Sequence, residues 1–243
     1  MITKALILSA GLGTRLRPLT DAMPKPMVPV AGRPVLEHLV RLCVAAGIAD
    51  VAVNLHHLPH VVMDHFGNGG AFGARLLYGL EPELYGTAGA VNNFRDFFDA
   101  PFLVLYGDVY LDVDLRAFAA AHEASGAVAT VGLYRVDNPT ECGLVDRDPT
   151  GRITRFVEKP PVAFTDLANA GVYALSPKVL DYIPENGFCD FGHDVFPALL
   201  AAGEPLYGQV LDGYVMDIGS PQKLETANAH VAGGGKRWGG GQP

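Results

Sequence analysis

A short stretch near the start of the chain combines a permissive backbone with positive charge. The apolar run at 4–8 predicts a buried parallel strand, and the loop after it contains Gly11 and Gly13. Glycines allow backbone N–H groups to approach a ligand closely. Three cations follow this loop: Arg15, Arg17 and Lys25. Exposed N–H groups beside cations indicate a binding site for a polyphosphate.

Two common phosphate-binding motifs do not match this stretch. A P-loop requires G-x-x-x-x-G-K-[ST], which is not found here. A dinucleotide-binding G-x-G-x-x-G requires a third glycine where this chain has Leu16. An ordinary glycine-rich turn with solvated arginines remains an alternative, so the assignment depends on further motifs.

The elements that must position this loop alternate along the first half of the chain. Apolar runs predict strands at 4–8, 51–55, 74–78, 102–106 and 127–134. Helical patterns fall between them, at 34–46, 59–66, 88–97 and 114–124. This alternation predicts an α/β sandwich with a mostly parallel sheet. Because ligands bind beyond the carboxyl ends of such strands, we expect the glycine loop and Gly107-Asp108 at that edge.

The pattern changes after residue 140. Short strands are expected at 143–146, 153–157 and 170–175, with a hairpin turn at 149–151. Helical segments are expected at 177–182, 191–202 and 221–230. We predict one domain over 1–232, in which about 1–140 bind a nucleotide and 141–232 hold a second substrate. Residues 233–243 form a glycine-rich tail that we expect to be flexible.

The composition is that of a globular protein with a sizeable core. The 243 residues are 49% hydrophobic and 18% charged, which is enough apolar material for a sizeable core. No apolar run approaches eighteen residues, so no membrane span is expected, and the first residues do not resemble a secretion signal. The three cysteines are few and far apart, which indicates reduced thiols in a cytoplasmic protein.

The charge is unevenly distributed. The net charge is −8, which argues against general nucleic-acid binding. Residues 1–41 contain six basic and two acidic side chains, a balance of +4, so the rest carries −12. A local positive site on an acidic protein favours a small anionic ligand.

The glycine loop also resembles a known signature. The run L-S-A-G-L-G-T-R-L-R-P-L-T, followed by K-P at Lys25, is similar to that of the sugar-1-phosphate nucleotidyltransferases, or NDP-sugar pyrophosphorylases. The resemblance implies a Rossmann-like three-layer fold and catalytic roles for Arg15, Lys25 and Lys159. It also implies nucleotide binding by Ser9, Ala10, Gly11, Leu12, Gly13 and Thr14.

A second glycine-rich loop spans residues 86–89. It resembles the family segment that contacts the nucleobase and ribose through main-chain groups. The residues concerned are Gly86, Thr87, Ala88 and Gly89. A helix N-cap at Thr87 explains the sequence about as well, and Tyr85 replaces the leucine usual before the loop.

Two aspartate motifs imply a metal site. Leu105-Tyr106-Gly107-Asp108 resembles the family's G-D motif, and Asp217-Ile218-Gly219-Ser220-Pro221 its D-I-G-T-P motif. The resemblance pairs Asp108 with Asp217 as ligands of Mg²⁺, a role that suits carboxylates beside phosphates. Asp112 and Asp114 are alternative ligands, although capping of the next helix is the favoured role of Asp114.

A third group of motifs implies a sugar-phosphate site. F-V-E-K-P resembles the family segment whose glutamate contacts sugar hydroxyls and whose lysine holds the phosphate. Taken alone, it also fits an ordinary Glu–Lys pair before a turn. The residues implied in this site are Gly143, Glu158, Lys159, Asn169 and Gly171.

Other reactive side chains have simpler interpretations. The histidines at 56, 57, 60 and 65 match no standard zinc spacing, so we favour a loop-and-helix surface role. Cys142 is next to Gly143, but a structural thiol is the favoured interpretation.

The resemblance implies a reaction between a nucleoside triphosphate and a sugar 1-phosphate that gives an NDP-sugar and pyrophosphate. The stretches at 81–84 and 190–197 resemble those of the short mannose-1-phosphate guanylyltransferase-like members, which implies GTP with mannose 1-phosphate or a manno-heptose 1-phosphate. UTP or dTTP with glucose 1-phosphate is the alternative. A non-catalytic NDP-sugar-binding subunit is a third interpretation, since a fold does not fix a function. A homodimer is also an expectation from the family.

Overall fold

The computed structural model describes residues 1–234. These residues fold into two compact units, each built from several stretches of chain. Unit A contains Thr3–Leu84, Leu105–Arg116 and the described residues from Asp212 onward. Unit B contains Met1–Ile2, Tyr85–Val104 and Ala117–Leu211. The prediction for 235–243 of the tail lies outside the described residues.

The described residues form thirteen strands, seven α-helices and several shorter helices. The strands are β1 Lys4–Leu8, β2 Pro29–Val30, β3 Arg33–Pro34, β4 Asp50–Leu55, β5 Arg75–Leu80, β6 Phe102–Tyr106, β7 Val109–Val113, β8 Ala129–Arg135, β9 Gly143–Arg147, β10 Ile153–Glu158, β11 Leu167–Leu175, β12 Leu206–Val210 and β13 Gly213–Asp217. The α-helices are α1 Leu19–Ala22, α2 Val35–Ala45, α3 Pro59–Phe66, α4 Gly86–Gly89, α5 Leu115–Ser125, α6 Phe196–Ala201 and α7 Pro221–Ala232. The 3₁₀-helices are Thr14–Leu16, Lys25–Met27, Gly70–Phe72, Ala90–Phe97, Pro139–Glu141 and Pro177–Tyr182, and Phe191–Val195 is a π-helix.

Unit A is built on a parallel sheet. Strand β4 pairs in parallel with β1 and β5, and the apolar side chains of β1 and β4 are buried. Helix α2 packs on β1 and β7 with a continuous apolar face that includes Leu36, Leu39 and Val40, all fully buried. Burial on both faces explains why these strands are apolar runs rather than alternating sequences.

A second, antiparallel ribbon in unit A joins distant parts of the chain. Strand β13 pairs with β7, and Asp217 is the register partner of Val109. Ile218 N extends the pairing by donating to Asp108 O at 3.0 Å. Helix α7 follows directly, and its first turn is capped by the Ser220 side chain, which accepts from Lys223 N. The ribbon therefore places two sequence motifs side by side.

Unit B has a mixed sheet and an aromatic core. Strand β11 is antiparallel to β8 and β9, β10 is antiparallel to β9, and β12 is parallel to β8. The rings of Tyr173, Phe191 and Phe196 pack together with centroids 4.9 to 5.6 Å apart. Aromatic packing of this kind buries large apolar areas at low conformational cost.

The predicted α/β class is confirmed, and most predicted elements agree with the structure to within a few residues. The hairpin turn at 149–151 joins the antiparallel strands β9 and β10. Three helical predictions are corrected. Residues 88–97 contain the end of one short α-helix and a 3₁₀-helix that is non-helical at Phe94. In that segment the Asn92 side chain makes a tertiary contact, in which its Nδ2 donates to Pro184 O.

The other two corrections involve prolines and short segments. The expected helix at 191–202 is a π-helix followed by α6, because Pro197 cannot donate the next helical hydrogen bond. The expected helix at 177–182 is a 3₁₀-helix that begins with Pro177 and ends at an extended Ile183. Strands β2, β3, β7, β12 and β13 were not predicted, since most are short or follow no apolar alternation.

Candidate active site

The exposed part of the glycine loop in unit A is narrower than the sequence motif. Ser9 and Ala10 are buried, whereas Gly11, Leu12, Thr14 and Arg15 are exposed. Ser9 N donates to Asn54 Oδ1 at 2.8 Å, so this N–H is already used within the protein. Within the predicted run, residues 11, 12 and 14 are therefore the most accessible to a ligand, together with Arg15.

A buried polar network fixes the start of the loop, and the sequence analysis missed it. Asn54 Nδ2 donates to Glu81 Oε1 at 2.8 Å, and both side chains are buried. Because Asn54 also accepts from Ser9 N, the ends of β1, β4 and β5 are tied together. A polar residue within the otherwise apolar run V-A-V-N-L was the available signal.

Gly13 allows the loop to pack against Lys25. Its φ is +63°, and a Cβ there would lie 2.9 Å from Lys25 Cβ and 3.0 Å from Thr20 Cγ2. Thr20 Oγ1 donates to Gly13 O at 2.9 Å and holds the loop in this position. A side chain at residue 13 would therefore displace the lysine as well as strain the backbone.

Lys25 is a buried cation held by two carboxylates. The residue is 5% exposed, and its Nζ lies 2.5 Å from Asp108 Oδ2 and 3.5 Å from Asp217 Oδ1. Both aspartates remain partly accessible. A buried ammonium group requires such partners, because an unpaired charge is strongly disfavoured away from water.

The β7–β13 ribbon explains why these two aspartates meet. Asp108 immediately precedes β7, and Asp217 is the last residue of β13. Gly107 N donates to Leu8 O at 2.8 Å, which fixes the start of the ribbon beside the end of β1. A Cβ at Gly107 would lie 2.5 Å from that same carbonyl oxygen, so only glycine fits here. Spacing along the chain does not indicate this pairing, and only the family resemblance suggested it.

Two further cations lie near Asp217. A Cβ on Gly219 would be 2.9 Å from both Arg15 Nη2 and Asp217 Oδ1, so the glycine leaves space for the guanidinium. Lys223 Nζ lies 3.7 Å from Asp217 Oδ2. Lys223 was not among the predicted site residues, and its position in the first turn after D-I-G-S-P was the only signal.

The carboxylates of Asp108 and Asp217 suit a hard divalent cation whose other ligands are phosphate and water oxygens. Mg²⁺ is commonly bound by one or two carboxylates, with phosphates and waters completing the octahedron. Asp108 and Asp217 supply two such carboxylates around Lys25. Within residues 1–234, no group of three or more His, Cys, Asp or Glu side chains is arranged to hold a metal alone.

The alternative metal ligands lie in other surroundings. Asp112 is buried on β7, with its Oδ2 4.0 Å from His230 Nε2, and Asp114 immediately precedes α5. The histidines bind main-chain or carboxylate groups: His56 contacts Glu81 O at 2.7 Å and His57 contacts Thr20 O at 3.0 Å. His65 Nε2 lies 3.3 Å from Glu37 Oε2.

The second glycine loop, in unit B, forms α4 and binds a neighbouring segment. Gly86 has φ +80°, and a Cβ there would clash with Cys189 O. Ala88 N and Gly89 N both donate to Cys189 O at 3.0 Å, so these N–H groups are used within the protein. Two of the four main-chain N–H groups of the predicted base-binding run are therefore already bonded within the protein.

The N-cap interpretation of Thr87 is wrong. Thr87 lies inside α4, whose N-cap is Tyr85 without a side-chain hydrogen bond. Instead, Thr87 Oγ1 donates to Asp190 Oδ2 at 2.8 Å and accepts from Phe191 N at 2.9 Å. Asp190 belongs to a stretch that the sequence analysis used for substrate preference without assigning it a role.

The side chain of Lys159 is exposed, whereas that of Glu158 is largely buried. The Lys159 side chain is 65% exposed and the Glu158 side chain 18% exposed, with Nζ 3.9 Å from Oε1. Burial raises the pKa of the Glu158 carboxyl, partly offset by the positive charge of Lys159. Lys159 has φ +46°, and its N–H donates to Cys142 O at 3.1 Å. A strained non-glycine residue at a turn is typical of functional positions.

Gly143, Glu158 and Asn169 are brought together in unit B. Gly143 and Glu158 are register partners, and a Cβ on Gly143 would clash with Glu158 Oε2 and lie 3.5 Å from Asn169 Cβ. Asn169 Oδ1 accepts from Gly171 N at 3.0 Å, and its Nδ2 donates to Tyr173 OH at 2.8 Å. Asn169 therefore shapes the irregular part of β11, where Gly171 has φ +68°.

The parallel sheet, the glycine loop at its carboxyl edge and the lysine with two carboxylates define the class as an α/β nucleotide-binding protein of Rossmann-like type. Residues 4–233 match the family model described as nucleotidyl transferase. The chain belongs to the nucleotidyl transferase family.

Relatives named as sugar-1-phosphate nucleotidyltransferases match most of this chain. The chain is 38% identical over 232 residues to a UTP–glucose-1-phosphate uridylyltransferase of Synechocystis, covering 89% of this chain and 60% of that protein. It is 38% identical to a mannose-1-phosphate guanylyltransferase of Mycobacterium tuberculosis, covering 95% of this chain and 65% of that protein. The chain thus spans less than two thirds of the length of these curated relatives.

A solved structure shares the fold. The TM-score is 0.86 at 27% identity to a Bacillus anthracis protein named as a candidate glucose-1-phosphate thymidylyltransferase in complex with sucrose. The match covers 93% of this chain and 94% of that one.

Two further findings concern the helices and the cysteines. None of the helices in residues 1–234 is both long and apolar enough to cross a bilayer. All three cysteines are free, and burial raises the pKa of Cys43 to about 12 and that of Cys189 to about 11.

Proposed function

We propose that this chain transfers a nucleotidyl group from a nucleoside triphosphate to a sugar 1-phosphate, releasing pyrophosphate. The observation that carries the proposal is the buried Lys25 ammonium between Asp108 and Asp217, beside an exposed, cation-bearing loop. An ammonium and a metal-binding carboxylate pair are the groups that phosphoryl-type transfer requires, because its catalysis is mainly positioning and charge neutralisation.

The phosphate chemistry belongs to unit A. The exposed backbone of 11–14 and the Arg15 guanidinium would hold the β- and γ-phosphates, which leave as pyrophosphate. Lys25 would stabilise the charge that develops on the α-phosphate oxygens. In the structure its ammonium is compensated by the two aspartates, so the substrate phosphates would compete for a cation that is already positioned.

Asp108 and Asp217 would hold Mg²⁺, as the fit of their carboxylates indicates. When bound, the ion would offset the negative charge of the reacting phosphates. Lys223 and Arg15, which lie near Asp217, would add positive charge beside the reacting phosphates.

The base and sugar chemistry belongs to unit B. Gly86–Gly89 would provide the flat surface for the base, and Gly143, Glu158, Asn169 and Gly171 would surround the sugar hydroxyls. Lys159 would hold the phosphate of the second substrate and orient its attacking oxygen, which suits its exposed ammonium. No general base is needed, because the sugar phosphate is already an anionic nucleophile.

GTP with mannose 1-phosphate, or a manno-heptose 1-phosphate, is the preferred substrate pair. The similarity to the Mycobacterium tuberculosis guanylyltransferase supports this choice. UTP or dTTP with glucose 1-phosphate is the second candidate, which the similarity to the Synechocystis uridylyltransferase supports.

The test is pyrophosphate release in the presence of Mg²⁺ across a matrix of GTP, UTP, dTTP, ATP and CTP against mannose, glucose and manno-heptose 1-phosphates. We expect one dominant combination, at GTP with a manno-configured sugar. A dominant UTP–glucose combination would replace the preferred pair. An inactive matrix from a folded protein that binds an NDP-sugar would refute catalysis and favour a non-catalytic subunit.

Assembly and location belong to the same proposal. We propose a homodimer in the cytoplasm: the family resemblance supports the dimer, and the three free cysteines suit a reducing compartment. Sedimentation equilibrium would test the dimer, and a single species at the mass of one chain would refute it. Fractionation of the native host would test the location.

A further inference from the structure

One segment of unit B contacts both the second glycine loop and the candidate sugar carboxylate. We call residues 189–194 the connecting segment. Ala88 N and Gly89 N donate to Cys189 O, both at 3.0 Å, and Cys189 N donates to Tyr85 O at 2.9 Å. The connecting segment is therefore joined to the glycine loop by two main-chain hydrogen bonds and to Tyr85, which precedes the loop, by a third.

Thr87 and Asp190 add a side-chain link. Thr87 Oγ1 donates to Asp190 Oδ2 at 2.8 Å and accepts from Phe191 N at 2.9 Å. Asp190 Oδ1 accepts from Gly192 N at 2.9 Å and from His193 N at 3.4 Å. Asp190 Oδ1 thus holds the backbone of the connecting segment, and Asp190 Oδ2 binds that segment to the Thr87 hydroxyl of the loop.

The connecting segment also borders Glu158. A Cβ on Gly192 would lie 2.8 Å from Glu158 Oε2 and 3.4 Å from the Phe156 ring, so the Gly192 backbone limits where this carboxylate can lie. Burial raises the pKa of Glu158, and the negative charge of Asp190 raises it further, which is consistent with their proximity. A shift of Gly192 would therefore move or resolvate the Glu158 carboxylate.

We propose that Thr87 and Asp190 are positioning residues that hold Gly192 against Glu158, so that the conformation of the second glycine loop sets the affinity for the sugar 1-phosphate. The inference rests on the proposed function, in which the loop contacts the base and Glu158 the sugar. If Thr87 and Asp190 act in this way, the Thr87 hydroxyl affects sugar binding, although Thr87 itself belongs to the candidate base site.

The test measures both KM values and kcat for Thr87→Val, which removes the hydroxyl and keeps the side-chain size. The substrates are GTP and mannose 1-phosphate, or UTP and glucose 1-phosphate if the wild-type chain prefers them. We expect the KM for the sugar phosphate to rise about tenfold, because the part-buried Asp190 carboxylate and Phe191 N–H lose their hydrogen-bond partner. Asp190→Ala should show the same signature, and Thr87→Ser, which keeps the hydroxyl, should restore the sugar KM.

A double-mutant cycle connects the effect to Glu158. If the link acts through this carboxylate, the effects of Thr87→Val and Glu158→Gln on the sugar-phosphate KM will not add. Thr165→Val is the matched control, because the Thr165 hydroxyl also accepts from a backbone N–H of unit B, that of Leu167, at 3.3 Å. We expect this control to leave both KM values unchanged.

Three outcomes would overturn the inference. Thr87→Val could change only the KM for the nucleotide, its effect could add to that of Glu158→Gln, or Thr87→Ser could fail to rescue the sugar KM. Failure of the proposed function is a separate result: the wild-type chain would then release no pyrophosphate with any substrate pair.

Discussion

Units A and B hold their candidate site residues in place by different forces. In unit A the central group is a cation, Lys25, that is 5% exposed and lies between two carboxylates from distant motifs. In unit B the central group is an anion, Glu158, whose position is limited by two glycines, Gly143 and Gly192. Charge compensation dominates in the first and close packing in the second.

This difference suits the two ligands that the units are proposed to bind. Triphosphate and metal bring large charges, which a preformed set of compensated charges can accept by exchanging partners. A sugar brings neutral hydroxyls, which are discriminated by the placement of a few buried polar groups. The comparison predicts that substitutions in unit A affect mainly turnover and those in unit B mainly the KM for the sugar phosphate.

The largest expected effect is loss of the metal-binding carboxylates. Asp108→Asn and Asp217→Asn should each lower kcat by about a thousandfold, because the metal would lose a charged ligand. Initial rates over a Mg²⁺ titration would measure this, with the exposed Asp64→Asn of unit A as the matched control. A variant that keeps near wild-type kcat at ordinary Mg²⁺ would remove that aspartate from the metal site.

Removal of the central cation should have the next largest effect. Lys25→Ala should lower kcat by about a hundredfold and change the KM for the nucleotide by no more than about threefold, since an interaction made mainly in the transition state is lost. Steady-state kinetics would check this, with the exposed Lys178→Ala as the control. A change confined to KM would contradict the proposed role of Lys25.

Crowding the carboxylate of unit B should affect binding selectively. Gly143→Ala places a Cβ against Glu158 Oε2 and should raise the KM for the sugar phosphate about tenfold, because tightly packed groups must shift. Thermal unfolding of the variant would show that it is folded. An equal rise in the KM for the nucleotide would contradict a role of this packing in the sugar-phosphate site alone.

The smallest expected effect is on stability and its pH dependence. Because burial raises the pKa of Glu158 in the folded state, the wild-type chain loses stability as pH rises from the unfolded pKa through the folded one. Glu158→Gln removes this titration, so it should be the more stable form at neutral pH by about 1–3 °C in unfolding midpoint. The difference should narrow in acid. Calorimetry of the wild-type chain and Glu158→Gln at neutral and acidic pH would measure the two unfolding midpoints. An equal difference between the midpoints at the two pH values would contradict this prediction.

Much of the fold was accessible from sequence pattern because its strands are locally distinctive. β1, β4 and β6 are apolar runs buried on both faces, and glycines occur in the segments near them. Strands β7 and β13 were missed because they pair with each other from distant parts of the chain, and β2 was missed because it has only two residues. Residues 88–97 were predicted as one helix, whereas they contain the end of α4 and a 3₁₀-helix with a non-helical backbone at Phe94, which the local pattern does not indicate.

The sequence by itself determined the glycine loop, its cations and the motif residues that carry the family resemblance, because these depend on residue type and short spacing. Only the tertiary structure decided that Lys25 meets Asp108 and Asp217, since that contact requires the β7–β13 ribbon. It also decided that the N–H groups of Ser9, Ala88 and Gly89 are already bonded, and that Asp190 links Thr87 to Gly192. Hydrogen-bond partners depend on three-dimensional proximity, which spacing along the chain does not encode.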